Sequence, residues 1–148
     1  MKTRSRARGW ALRVLYGWDA RGGERDLRDT FTTYAAERGI RPENRVYVDR
    51  LIRTIAQHHD DIDRALQEAL TNWRLARLSV IDRNILRIGG AELLFHADVP
   101  PRVAIQEAIL LAEKYGTAES PRFVNGVLDA LMRRSGANGR DVAAREDR

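Results

Sequence analysis

The 148-residue chain has no cysteine. That excludes disulfide staples and every thiolate metal site, and it fits a reducing, cytoplasmic compartment. Lysine is scarce as well, with two residues against 24 arginines. No apolar run approaches the roughly 18 residues of a membrane span, and the basic N-terminus lacks the uncharged stretch of a signal peptide, so neither is expected. Histidine occurs three times, and His58 and His59 are adjacent. Helical neighbours diverge by about 100°, so these two cannot chelate one metal as an i, i+4 pair can. There is no nucleophile elbow, P-loop, dinucleotide fingerprint or zinc motif. Asp82 and Glu92 are separated by about 15 Å along a helix, too far to share acid–base work. The expectation is a protein without metal, cofactor or enzymatic activity.

What the chain does have is helical periodicity and positive charge. Net charge is +5, with 43% hydrophobic and 32% charged residues, a balance that supports a globular core and favours polyanionic partners. Arginine gives planar, bidentate phosphate contacts and stacks on bases. Lys2, Arg4, Arg6, Arg8 and Arg13 fall within the first thirteen residues, with no acid among them. Aromatics are interleaved there: Trp10 and Tyr16 with Arg8 and Arg13. This pattern suits RNA, whose phosphates attract arginine and whose unpaired bases stack on rings. Alternatively, Trp10 and Trp18 belong to the core and the arginines to a solvated face.

Apolar spacing predicts about seven helices in an all-α bundle. The first covers residues 4–20, with Ala7, Ala11, Val14 and Trp18 on one face and Arg6 and Arg13 on another. The second covers residues 26–37, and the third residues 42–57. A break is expected at His58, His59, Asp60 and Asp61, then a fourth helix carrying Ile62, Leu66 and Leu70. The fifth, residues 75–95, is apolar around much of its girth and should lie centrally. Gly89 and Gly90 would let a neighbour approach it. The sixth follows Pro100 and Pro101, and the seventh begins at Ser120. We expect one domain over residues 1–134, in halves of about 1–71 and 72–134, and a disordered polar tail over 135–148.

The seventh helix is the most informative stretch. Ser120 reads as an N-cap and Pro121 as the first helical residue. Asn125 and Gly126 then interrupt a helix that would be stronger without them, since glycine costs about 1 kcal/mol against alanine. Gly126 is expected either to allow close approach to a partner or to let two helices touch.

Several stretches together resemble the NusB family of bacterial transcription antitermination factors. Arg6, Ala7 and Arg8, then Ala11, Leu12, Leu15 and Tyr16, look like its basic first helix. Leu78 with Ile81, Asp82, Arg83, Asn84, Ile85, Leu86 and Arg87, then Glu92 and Leu93, look like its central helix. Asp98, Val99 and Pro100, followed by Val103, Ala104, Ile105, Glu107 and Ala108, resemble the next. Ser120 and Phe123, Val124, Asn125, Gly126, Val127, Leu128 and Asp129 complete the match. Gln106 departs from the usual asparagine, two prolines replace one, and Gly9 is a poor helix residue.

The resemblance implies a non-enzymatic, cytoplasmic RNA-binding protein, monomeric or homodimeric. It would hold single-stranded boxA RNA of ribosomal RNA leaders together with NusE, a small-subunit ribosomal protein, within the antitermination complex of RNA polymerase. Lys2, Arg4, Arg6, Arg8, Arg122 and Phe123 would meet RNA, and Asn125 would contact RNA or cap nearby backbone. Tyr16, Asp82 and Arg87 would form the NusE face. The alternatives are a NusB-like adaptor domain of an rRNA-modifying enzyme or another helical nucleic-acid-binding regulator.

Overall fold

The computed structural model describes residues 2–136, with the side chain of Lys2 outside that description. The described residues form six α-helices and one 3-10 turn, with no strand among them. In order these are α1 (Lys2–Ala20), α2 (Leu27–Arg38), α3 (Pro42–Ala69), the turn Leu75–Arg77, α4 (Val80–Phe95), α5 (Pro101–Tyr115) and α6 (Ser120–Ser135). The all-α class is the expected one, with one helix fewer than the spacing suggested. The third and fourth expected helices are one helix, α3, kinked where His58 leaves helical geometry at φ −116° and ψ 23°. The polar run at residues 58–61 bends α3 without ending it. Ile55, Ile62, Leu66 and Ala69 continue one buried stripe across the kink, and that packing outweighs the local polarity.

The caps explain two further boundaries. α4 begins at Val80 rather than Leu75 because the Ser79 hydroxyl accepts the Asp82 amide at 3.1 Å. The expected cap at Ser120 is not one. Glu119 is the N-cap residue, and Ser120 is buried with its hydroxyl accepting the Thr117 amide at 3.0 Å. A Cβ on Gly116 would stand 2.5 Å from Ser120, so only glycine permits this tight turn. α6 runs through Ser135 and stops at the left-handed Gly136. The remainder of the expected tail, residues 137–148, lies outside the described residues.

α4 is central. It packs against α1, α3, α5 and α6, and residues 84–93 of it are buried without interruption. A Cβ on Gly89 would come within 2.5 Å of Leu128 Cδ1, which is how closely α6 crosses it. One continuous core draws buried side chains from all six helices. α1 runs alongside α5 in the same direction: Arg8 meets Glu107 at the middle of α5, and Arg13 meets Tyr115 at its end.

Candidate nucleic-acid interface

The basic first helix splits into two faces. Arg4 and Arg8, one turn apart, point toward α3, α4 and α5; Arg6 and Arg13 point outward. The expectation that Arg8 meets phosphate is corrected. Arg8 is 3% exposed, and its Nε donates to Glu92 at 2.8 and 3.1 Å while Nη1 donates to Glu107 at 3.0 Å. Two acids from α4 and α5 neutralise it inside the bundle. Arg4 is partly exposed, donating to Asp98 at 3.0 Å with its guanidinium 4.5 Å from the Tyr47 ring centre. Arg6 is exposed and has no carboxylate partner among the described residues. Lys2, also expected to meet phosphate, has its side chain outside the described residues.

Beneath this segment lies a buried polar cluster. Glu92 is fully buried; burial pushes its carboxyl above the usual range while the Arg8 charge opposes the shift. The Tyr47 hydroxyl donates to Glu92 and lies 3.1 Å from His96 Nδ1. Thr54 gives its hydroxyl proton to the Arg50 carbonyl at 2.9 Å, so His96 Nε2 carries the proton shared with the Thr54 oxygen, also at 2.9 Å. Burial, then the Arg50 charge, lowers the His96 pKa to about 4, so the ring is neutral at physiological pH. Asp98 is held well below the carboxylate range by hydrogen bonds from Arg50, partly offset by burial, and from Arg4.

At the start of α6, Arg122 and Asn125 are exposed and Phe123 is half-buried. Trp73, from the loop after α3, meets Phe123 edge-on at 6.1 Å and is 59% exposed. Sequence reasoning missed Trp73. Its signal was a tryptophan in the polar run Thr71, Asn72, Trp73, Arg74, where no helical face required it. Gly126 faces open space rather than another helix, which removes the helix-contact reading within this chain. No direct contact joins the α6 residues to Arg4 or Arg6 among the described interactions.

The expected partner face is partly assembled. Tyr16 is 46% exposed and borders a groove of about 700 Å³ between α1 and α2, with Ile81 at the N-terminal end of α4 on its rim. Asp82, beside Ile81, is half-buried with one carboxylate oxygen unpartnered. Arg87 is a correction: only 6% exposed, it donates to Asp63 at 2.9 and 3.0 Å and to Asp19 at 2.8 Å. It locks α1, α3 and α4 together rather than offering charge to a partner. Arg83 joins the same clamp, donating to Asp19 at 2.7 Å.

The fold and its surface define an all-helical scaffold that neutralises its inner arginines with acids and leaves several outer ones, Arg6 and Arg122 among them, without a carboxylate partner among the described residues. The NusB family model matches residues 5–133, and the chain belongs to the NusB family. It is 40% identical to the transcription antitermination protein NusB of Sorangium cellulosum (strain So ce56), over 95% of this chain and 99% of that protein. NusB of T. maritima superposes with a TM-score of 0.82 at 35% identity, over 93% of this chain and 95% of that one. A crystal structure of antitermination factors NusB and NusE in complex with dsRNA matches with a TM-score of 0.80 at 32% identity, covering 90% of this chain and 98% of its own.

Proposed function

We propose that this chain is a cytoplasmic transcription antitermination factor. It pairs with the ribosomal protein NusE, holds the boxA element of ribosomal RNA leaders, and so promotes their transcription by RNA polymerase. The observation that carries this reading is the likeness, at 32% identity over 98% of the neighbour's chain, to a NusB crystallised with NusE and RNA. The chemistry of the surface supports it. Arg6 and Arg122 carry charge with no carboxylate partner among the described residues, and Phe123 and Trp73 offer ring surface to unpaired bases. In this reading Arg4, which shares the single acid Asp98 with Arg50 and so leaves one positive charge over, adds to Arg6, and Asn125 supplies an amide to the RNA. Tyr16 and Asp82 meet NusE; an acid there attracts a basic ribosomal protein and repels RNA.

The test is a titration of boxA RNA, as single strand and as duplex, with and without NusE, at several salt concentrations. The reading expects tighter binding with NusE and a single-strand log–log salt slope of about −0.7 per phosphate contacted. Binding that ignores both the boxA sequence and NusE would sink it.

A further inference from the structure

Among the described residues, most arginines that touch another side chain touch a carboxylate, Arg8, Arg50, Arg53, Arg83, Arg87 and Arg133 among them. A different arrangement crosses the outer side of α1. The Arg38 guanidinium lies 5.4 Å from the Tyr34 ring, and Tyr34 meets Trp10 edge-on at 6.3 Å. Arg13 stands 4.9 Å from the Trp10 ring centre and 5.9 Å from that of Tyr115, to whose hydroxyl it donates at 3.3 Å. The Lys114 ammonium is 5.3 Å from Tyr115. Cations and rings are therefore interleaved from α2 across α1 to α5, with the Tyr34–Trp10 ring pair between Arg38 and Arg13. None of Arg13, Arg38 or Lys114 has an acid partner among the described residues.

The distinction is chemical. A carboxylate that positions an arginine also cancels its charge. A ring positions it through the face of the guanidinium and leaves both the charge and the N–H edge available. Cations fixed in this way are prepared for an anion that the chain itself does not supply. Between α1 and α5, Arg13 and Lys114 border a groove of about 290 Å³ whose lining includes Arg6, Trp10, Leu110 and Tyr115; its one acid, Glu107, is paired with the buried Arg8. Leu110, 51% exposed, adds apolar surface of the kind a base can cover. Arg6 opens one end of this groove; Tyr115 ends α5 at the other, just before α6 and Arg122.

We infer that the groove between α1 and α5 is a phosphate track, along which single-stranded RNA leaves the N-terminal segment and runs toward the start of α6. Arg13 and Lys114 each take a phosphate, and the Trp10 and Leu110 surface takes a base. An acidic protein would satisfy the charges, but unneutralised cations interleaved with ring faces match a strand that presents phosphates and bases in alternation. The inference rests on the RNA-binding reading above and extends its footprint to residues of α5.

The experiment compares the full-length wild type, Arg6→Gln and the double variant Arg13→Gln/Lys114→Gln. The probe is single-stranded RNA with the boxA element and extensions at both ends, titrated at several salt concentrations. All the replaced side chains are exposed, and matching helical circular dichroism and melting temperature establish that each variant is folded. The double variant is expected to flatten the salt slope by about 1.4, two phosphates at about 0.7 each, and Arg6→Gln by about 0.7. If Arg6→Gln flattens the slope and the double variant does not, the track is overturned while the RNA-binding reading stands. If the wild type itself fails to bind RNA, both fall. If the double variant binds RNA normally but loses NusE, the ladder is a protein contact and the inference is wrong.

Discussion

Arg8 shows what a single residue's surroundings do to a motif. In the sequence it belongs to an evenly spaced set, Arg4, Arg6 and Arg8, and nothing local separates the three. Its fate is decided by Glu92 and Glu107, distant in sequence and adjacent in space. Removing one partner of a buried ion pair strands the other charge, at a typical cost of about 3–5 kcal/mol, whereas replacing both by apolar groups is often nearly neutral. Arg8→Met should therefore lower the folding free energy by about that amount in urea melts. Arg8→Met combined with Glu92→Leu should regain part of it, the remainder reflecting the loss of the Tyr47 hydrogen bond. Where Arg8→Met remains folded, its RNA salt slope should equal that of wild type. A slope flattened by about 0.7 would mean that Arg8 reaches phosphate after all. The same blindness affected Arg87, whose partners Asp19 and Asp63 lie on other helices.

At the scale of helices, sequence was a better guide, because periodicity is a local property. The faces of α1, α3 and α5 and the buried length of α4 were legible from apolar spacing alone. The miscounted helix and the displaced start of α4 arose where local polarity competed with packing or with a better cap. Glycines separate the two influences. Gly89 and Gly126 are both helical, yet an added Cβ meets Leu128 at 2.5 Å in the first case and nothing within 4 Å in the second. Gly126→Ala should stabilise the protein by about 1 kcal/mol through helix propensity, raising the melting temperature by a few degrees. Gly89→Ala should destabilise it by about 1–3 kcal/mol, since the fully buried Leu128 would have to shift within the core to admit the methyl group. Thermal melts of both variants check the pair, and a stabilising Gly89→Ala would contradict the close α4–α6 crossing. RNA titration of Gly126→Ala adds a functional reading. Lost affinity in a more stable protein would identify Gly126 as a position kept small for a partner.

Across the whole molecule, basic residues serve two purposes that the sequence could not sort. One set is clamped inside: Arg8 by Glu92 and Glu107, Arg83 and Arg87 by Asp19 and Asp63. Others, Arg6, Arg13, Lys114 and Arg122 among them, are exposed and without carboxylate partners among the described residues. Salt should distinguish the two. Partly or fully buried pairs are screened weakly, while phosphate contacts weaken through counterion competition. Four phosphate contacts correspond to a slope of about −2.8, so raising salt from about 50 to about 200 mM should cost about fiftyfold in single-strand RNA affinity. Over the same range the melting temperature of the free protein should barely move. A melting temperature that fell steeply with salt would mean that exposed ion pairs, rather than the interior clamps, hold the bundle. An affinity that barely changed would mean that the free cations do not meet phosphate, and that the net charge of +5 serves some purpose other than binding RNA.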